Sequence, residues 1–438
     1  MLMKKKRLLS VLLASAMVLS LGTPGGTAAA QEEHEPVTIR VLTRWTGTDS
    51  MTPLFQEIKE GFMEEYPWIT IQDDSVNEES AYLNVLNTAI ATGDMPNIFY
   101  VPTVMGCLEY AKSGLIMDVS QLFEDTEWRE GFKEGVFEPF DYSAYGVEGY
   151  YAVPFSIGVE GIFYNKALFE QAGIEKVPET MEEMYDAIEK LKAIDVVPFA
   201  VGADETWRAG HILNWLTYKT AGVQYTIDIG ARKAKWTDEP MVQSLQNYMD
   251  LKEAGAFPEN YEGLTYEEEQ NMFFGGQAAM DVNGTWFIGN CTDSAIAEDI
   301  GIFAPPYYEE NAELADNGIA YPQAFCLDAT CDDNEKEAEI LFIKYMTSQM
   351  IESRMANEVQ LIPARKDVDL SGLDPDSLVY KAMEIADGQT ITSGDTTDYD
   401  TLTSMVDFVR NTLIGMSLGQ MNPEEAAAAI QGEIDANQ

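Results

Sequence analysis

Positive charge is scarce in this 438-residue chain: 27 Lys and Arg stand against 74 Asp and Glu, a formal net charge of −47. Four of the bases (Lys4, Lys5, Lys6, Arg7) fall before the first apolar run. A phosphate backbone or an anionic membrane surface would be repelled by such a field, which excludes nucleic-acid and peripheral-membrane roles. Histidine is rarer still. The two present, His34 and His211, belong to no His-Glu-x-x-His pattern, and the four cysteines (Cys107, Cys291, Cys326, Cys331) form no Cys-x-x-Cys. No metal site is therefore expected and no cofactor is implied. Gly-x-Ser-x-Gly, Gly-x-x-x-x-Gly-Lys-Ser/Thr, Gly-x-Gly-x-x-Gly and the calcium-binding loop are also missing, so no catalytic residue is assigned. Glycoside hydrolysis stays open, because 74 acids supply many accidental carboxylate pairs and a sequence gives no distance between them.

Long hydrophobic runs are missing apart from one. Residues 8–21 are apolar except for Ser10, Ser15 and Ser20; glycines at Gly22 and Gly26 follow, and Ala28-Ala29-Ala30 offers small residues before Gln31. A run of that length is too short to span a bilayer, and behind a basic start it predicts a secretory signal peptide over residues 1–30, cleaved near Ala30. The first cysteine is Cys107, so none stands at the cleavage site to carry a lipid. The mature chain is expected to be extracytoplasmic, in a periplasm, at the cell surface or secreted. In such a compartment an even cysteine count matters, and three complete pairings are possible. Cys326 with Cys331 would close a very short loop and stabilise little.

What is present is the composition of a globular protein, 46% hydrophobic and 11% aromatic, with length for two or three domains. Residues 37–42 read as a strand, and Leu54, Phe55, Ile58, Phe62 and Tyr66 recur at helical spacing before Pro67. A strand at 69–71, a helix through Leu83, Leu86 and Ile90 ended by Gly93, and a strand at 98–101 follow. This β-α-β-α-β order predicts a parallel sheet with helices on its faces. Further strands are expected in 150–164, a helix through Met184, Ile188 and Leu191, a strand at 196–201, and helices near Val242–Met249 and Ala338–Tyr345.

The aromatics carry the functional reading. Trp45 and Tyr100 each follow the end of an expected strand, Trp207 follows 196–201 across Gly202-Ala203-Asp204-Glu205, and Trp286 follows 278–282 across Asn283-Gly284-Thr285. In open α/β sheets these exits face the crevice where ligands bind. A ring face there suits the C–H face of a pyranose, and Asp49 nearby can bond its hydroxyls. Trp68 and Trp128, in Pro-turn and acidic surroundings, are expected to pack instead.

At this point several segments, in order, resemble one family: Phe62-Met63-Glu64-Glu65-Tyr66-Pro67; Ala91-Thr92-Gly93-Asp94-Met95-Pro96-Asn97-Ile98; Ala111-Lys112-Ser113-Gly114-Leu115-Ile116; Tyr151-Ala152-Val153-Pro154 with Tyr164-Asn165-Lys166; Pro178-Glu179-Thr180-Met181; Phe273-Phe274-Gly275-Gly276-Gln277-Ala278-Ala279-Met280 ahead of Trp286; and Leu361-Ile362-Pro363-Ala364-Arg365. They are similar to the bacterial extracellular solute-binding proteins of family 1, the maltose-binding-protein-like receptors of carbohydrate ABC importers. The resemblance implies a two-lobed α/β fold of the periplasmic-binding-protein kind (type II), each lobe a mixed sheet flanked by helices. Residues 31–157 plus 322–370 would form lobe 1 and 158–321 plus 371–438 lobe 2, with hinge crossovers near 156–161, 318–324 and 368–374. By position it implies Trp45, Asp49, Tyr100, Trp207 and Trp286 as ligand-binding residues, a mono- or oligosaccharide as ligand, importer transmembrane subunits as partners, and a monomer without catalysis. Gly158 stands where maltose-binding members carry a ligand-contacting acid, so maltose itself is not implied. Two alternatives remain: a secreted carbohydrate-active enzyme, which needs a proximal carboxylate pair, and a receptor for a cation such as a polyamine, which would draw on Asp49, Asp204 and Glu205.

Overall fold

The computed structural model describes residues 34–101, 104–389, 391–402 and 404–437, so the expected signal peptide lies outside the described residues. Strand β1 (Val37–Leu42) runs into helix α1 (Thr52–Glu65), whose Leu54, Phe55, Ile58 and Phe62 form one buried face at the spacing of a helical stripe. β2 (Ile69–Asp73) and α2 (Glu79–Thr92) follow. The Glu78 carboxylate accepts the orphan N–H groups of Ser80 and Ala81 at the start of α2, and Gly93, at φ +71°, ends it in the left-handed conformation glycine adopts freely. β3 (Ile98–Tyr100) closes the unit, and β1 lies parallel to both β2 and β3, as the alternation predicts. Helix α3 (Gly106–Lys112) packs beside it.

Residues 150–164, expected to hold several strands, contain one thirteen-residue strand, β4 (Val153–Asn165). The strands β5 (Val197–Ala200), β6 (Ala278–Gly284), β7 (Ile300–Phe303), β8 (Asn317–Leu327), β9 (Ile362–Pro363) and β10 (Ile391–Ser393) follow. The strand order is β2-β1-β3-β8-β4-β6-β5, with β7 and β9 on β4 and β10 on β8. β4 is antiparallel to β8 through residues 153–159 and to β6 and β7 through residues 160–165, so one strand belongs to both halves of the sheet system. β8 does likewise, meeting β3 at one end and β10 at the other.

Two large apolar cores lie on either side of this crossing. One gathers Val41, Phe55, Phe62, Phe155, Phe325 and Phe342, and the other Phe199, Leu213, Trp215, Leu245, Tyr248 and Ile430. The last two helices, Met405–Ser417 and Pro423–Ala436, pack on the second core, and the helix Asp333–Met346 packs on the first. Among the described residues no helix is long and apolar enough to cross a membrane.

Candidate functional site

The helix Trp207–Thr220 begins shortly after the chain leaves β5. Trp207 and His211 are four residues apart and so share a helix face. Their rings meet at 4.9 Å between centroids, and both face Trp286, His211 at 5.5 Å and Trp207 at 6.5 Å. Trp286 stands in the turn after β6 with its indole folded back over Gly284, where a Cβ would come within 2.1 Å of the ring. Across from it, a Cβ on Gly158 of β4 would lie 3.5 Å from Trp286 and 3.3 Å from the ring of Tyr321 on β8. Two glycines therefore clear the space in which the Trp286 and Tyr321 rings lie.

Beneath Trp207 lies a buried ion network. The Arg208 guanidinium donates to both Glu269 carboxylate oxygens through Nε, at 2.8 and 3.0 Å, and to Asp281 at 2.8 Å and the Val282 carbonyl at 2.6 Å through Nη2. It also lies over the Trp207 and Tyr266 rings at 4.7 and 5.3 Å. Burial pushes Glu269 up to about 8, against the pull of Arg208. The Trp207 indole N–H is fixed by Glu205 at 2.9 Å.

The polar groups of the site come from several elements. Glu160, two residues past Gly158 on β4 and so on the same face of the strand, places Oε1 2.9 Å from His211 Nδ1. It is 2% exposed, and its Oε2 has no hydrogen-bond partner. Burial raises its pKa while His211 pulls the other way. Asp395 accepts from Asn214 Nδ2 at 2.8 Å and from Arg410 Nη2 at 2.7 Å. Burial works to raise Asp395, yet Arg410 and His211 hold it below the usual carboxylate range. Asp398, buried beside the Asp395 charge, is pushed up to about 8. Arg410 also reaches α2, with Nη1 3.9 Å from Glu79, and so joins a helix on the second core to one near β1.

The residues expected from sequence fall into two groups. Trp207 and Trp286 come together as described. Tyr100, at the end of β3, is packed against Tyr82, Phe155 and Phe325, and its hydroxyl, pushed up to about 12 chiefly by burial, feels the charges of Arg44, Glu79 and Asp398. Trp45, at 8% exposure, is enclosed edge-on by Phe55, Phe155 and Phe325, 5.1 to 5.3 Å away, while Trp207, at 7%, is buried against His211, Tyr266 and Trp286. Asp49 sits half-buried before α1, where its Oδ1 accepts the Met51 N–H at 2.8 Å and burial pushes its pKa up to about 6. Its neighbour Ser50 touches the segment after Trp286, since a Cβ on Gly289 would lie 2.3 Å from Ser50 Oγ. Trp128 packs in the first core as expected, its indole N–H on Thr347, and Trp68 packs against that core. Sequence reasoning missed Glu160, His211, Tyr321, Asp395, Asp398 and Arg410.

Glu160, His211 and Asp395 each bring a donor atom within 4.8 Å of the others. Both Asp395 oxygens are already bonded and the Arg410 cation stands beside them, so the set suits hydroxyl groups, which both donate and accept, better than a cation. A cavity of about 270 Å³ beside Lys219, Lys381 and Gln389 shares none of these residues.

The sequence profile described as bacterial extracellular solute-binding protein matches residues 47–350. The chain is 26% identical over 329 residues to the multiple sugar-binding protein of Streptococcus mutans, covering 73% of each. It is 22% identical to the diacetylchitobiose binding protein of Streptomyces coelicolor, over 80% of this chain and 79% of that one. Among solved structures, a chitin oligosaccharide binding protein superposes with a TM-score of 0.84 at 24% identity, over 92% of this chain and 98% of the other.

Proposed function

The chain belongs to the bacterial extracellular solute-binding proteins, and from that premise we propose that it captures a mono- or oligosaccharide between its lobes and delivers it to the transmembrane subunits of an ABC importer. The carrying observation is the juxtaposition of Trp207, Trp286 and Tyr321 with Glu160, His211 and Asp395. Ring faces shield the apolar face of a pyranose, and the ionic groups take up its hydroxyls; the unpartnered Glu160 Oε2 is an acceptor held ready for one. Relatives named for binding multiple sugars and diacetylchitobiose support this ligand class. Trp45 serves as support for the wall that carries Tyr100 rather than as a contact.

The family is one of solute-binding proteins, and we propose that this chain is no enzyme. Glu160 and Asp395 are close enough to prompt the question, but Asp395 is neutralised by Arg410 and bonded by Asn214, which leaves it a poor nucleophile or base. The chain is extracytoplasmic with its family; cleavage near Ala30, a monomeric state and the lobe division at 157/158, 321/322 and 370/371 are parts of the same proposal.

A thermal-shift screen against a sugar library tests it, since a ligand at 100 times its dissociation constant stabilises by about 2.7 kcal/mol. The expected hit is a neutral saccharide whose affinity changes little with sodium chloride. No stabilising saccharide, a best ligand that is cationic and lost with salt, or product release from the bound sugar would each overturn the reading.

A further inference from the structure

We propose that Cys107 and Cys326 form a disulfide that ties α3 to the crossover strand β8. The sequence leaves three pairings open. In the fold Cys326 Sγ lies 3.4 Å from Cys107 Sγ, so about 1.4 Å of approach separates this contact from a bonded pair at about 2.05 Å. Both residues are fully buried in one apolar cluster with Phe99, Tyr82 and Tyr142. The other two cysteines are placed apart from them. Cys291 is buried in the cluster around Phe287, and Cys331 is half-buried at 3.8 Å from the Glu339 carboxylate. The pairing of Cys326 with Cys331 is therefore disfavoured by position as well as by loop length.

Two features make the bond consequential. The cysteines are 219 residues apart in sequence, so the link closes a long loop of the unfolded chain, where a crosslink constrains most. It also fixes β8 close to the point where Cys326 pairs with Phe99 of β3, beside Tyr100, and so braces the strand that carries Tyr321. The extracytoplasmic setting of the family supplies the oxidising conditions.

Burial and the neighbouring sulfur raise the Cys326 thiol well above its ordinary range. The chemistry is thiol–disulfide exchange with a disulfide oxidant. One cysteine thiolate attacks glutathione disulfide, or the disulfide of a thiol oxidoreductase, and expels one thiolate. The second cysteine thiolate then attacks the mixed disulfide and expels the other. Two protons leave the cysteines, and two electrons reduce the oxidant to two thiols.

The test is oxidative refolding of the chain with glutathione disulfide, alkylation in denaturant and mass spectrometry. Two alkylated cysteines are expected, rising to four after reduction, with a linked peptide pair containing Cys107 and Cys326. Cys331→Ala should keep the link, and Cys107→Ala should abolish it and leave three alkylated cysteines. Four alkylated cysteines after oxidative refolding, or a link through Cys291 or Cys331, would overturn the proposal. The peptide map of the unsubstituted chain decides the question even if Cys107→Ala fails to fold.

Discussion

Trp45 and Trp286 follow strand ends in the same way, yet one is surrounded by Phe55, Phe155 and Phe325, while the other faces His211 and Trp207 and lies beside two glycines that leave it room. The first wall of the proposed cleft is a hydrocarbon block with Tyr100 on its edge. The second is a set of rings mounted on ions. We propose on this ground that an aromatic at a strand exit is a support when its neighbours are rings of its own core, and a contact when its neighbours are polar groups.

The largest effect should come from the ions under the second wall. Arg208→Met leaves Glu269 and Asp281 buried without their cation, and denaturant unfolding should show a loss of about 3–5 kcal/mol. A loss under 1 kcal/mol would mean that the second wall stands on apolar packing like the first. Next comes the tryptophan pair itself. Trp45→Ala should cost about 3–5 kcal/mol of stability by opening a core cavity. Trp286→Ala should cost about 2 kcal/mol of saccharide affinity, read by calorimetry, with little change in stability. Equal stability losses would erase the distinction between them.

A smaller effect is expected from pH. Asp398, at about 8 in the fold against about 3.9 unfolded, binds its proton more tightly when folded. Its contribution is therefore complete at acid pH and is lost as pH rises from about 4 to about 8. Glu269 acts in the same direction. Unfolding free energy should fall between pH 5 and pH 8, and Asp398→Asn should flatten that slope; a slope of opposite sign would remove Asp398 as a protonated member of the second wall. The smallest effect belongs to the tie between the walls. The Arg410–Glu79 pair is 3.9 Å long and partly exposed, so Glu79→Gln should change stability by about 0.5 kcal/mol or less. A tenfold change in ligand affinity from this substitution would give the tie a larger part in closure than its geometry supports.

Much of the fold is legible in the sequence because it rests on local periodicity. The α1 stripe, the Gly93 terminus and the parallel β1, β2 and β3 all follow from spacing within a few dozen residues. The continuity of β4 is less so, since a buried strand serving two sheets loses the alternation that marks single strands. In the site, His211 was within reach, being one helical turn from Trp207, as was Glu160, two residues from Gly158 on the same strand face. Asp395, Asp398 and Arg410 were not, because a loop and a helix nearly two hundred residues away meet Asn214 and His211 only through tertiary packing.

β4 carries a mechanical consequence. A strand hydrogen-bonded to both halves of the sheet system cannot part from either without breaking its ladder, so relative movement of the halves must be taken up as twist and bend along its length. Gly158 and Gly161 lie within that stretch, and Glu160 lies between them. In the closure we propose, a molecule held by Glu160 rests near the axis of rotation instead of at the rim, and a displacement of a fraction of an ångström there is magnified along the lobes as along a lever, sweeping their outer loops through a far larger arc.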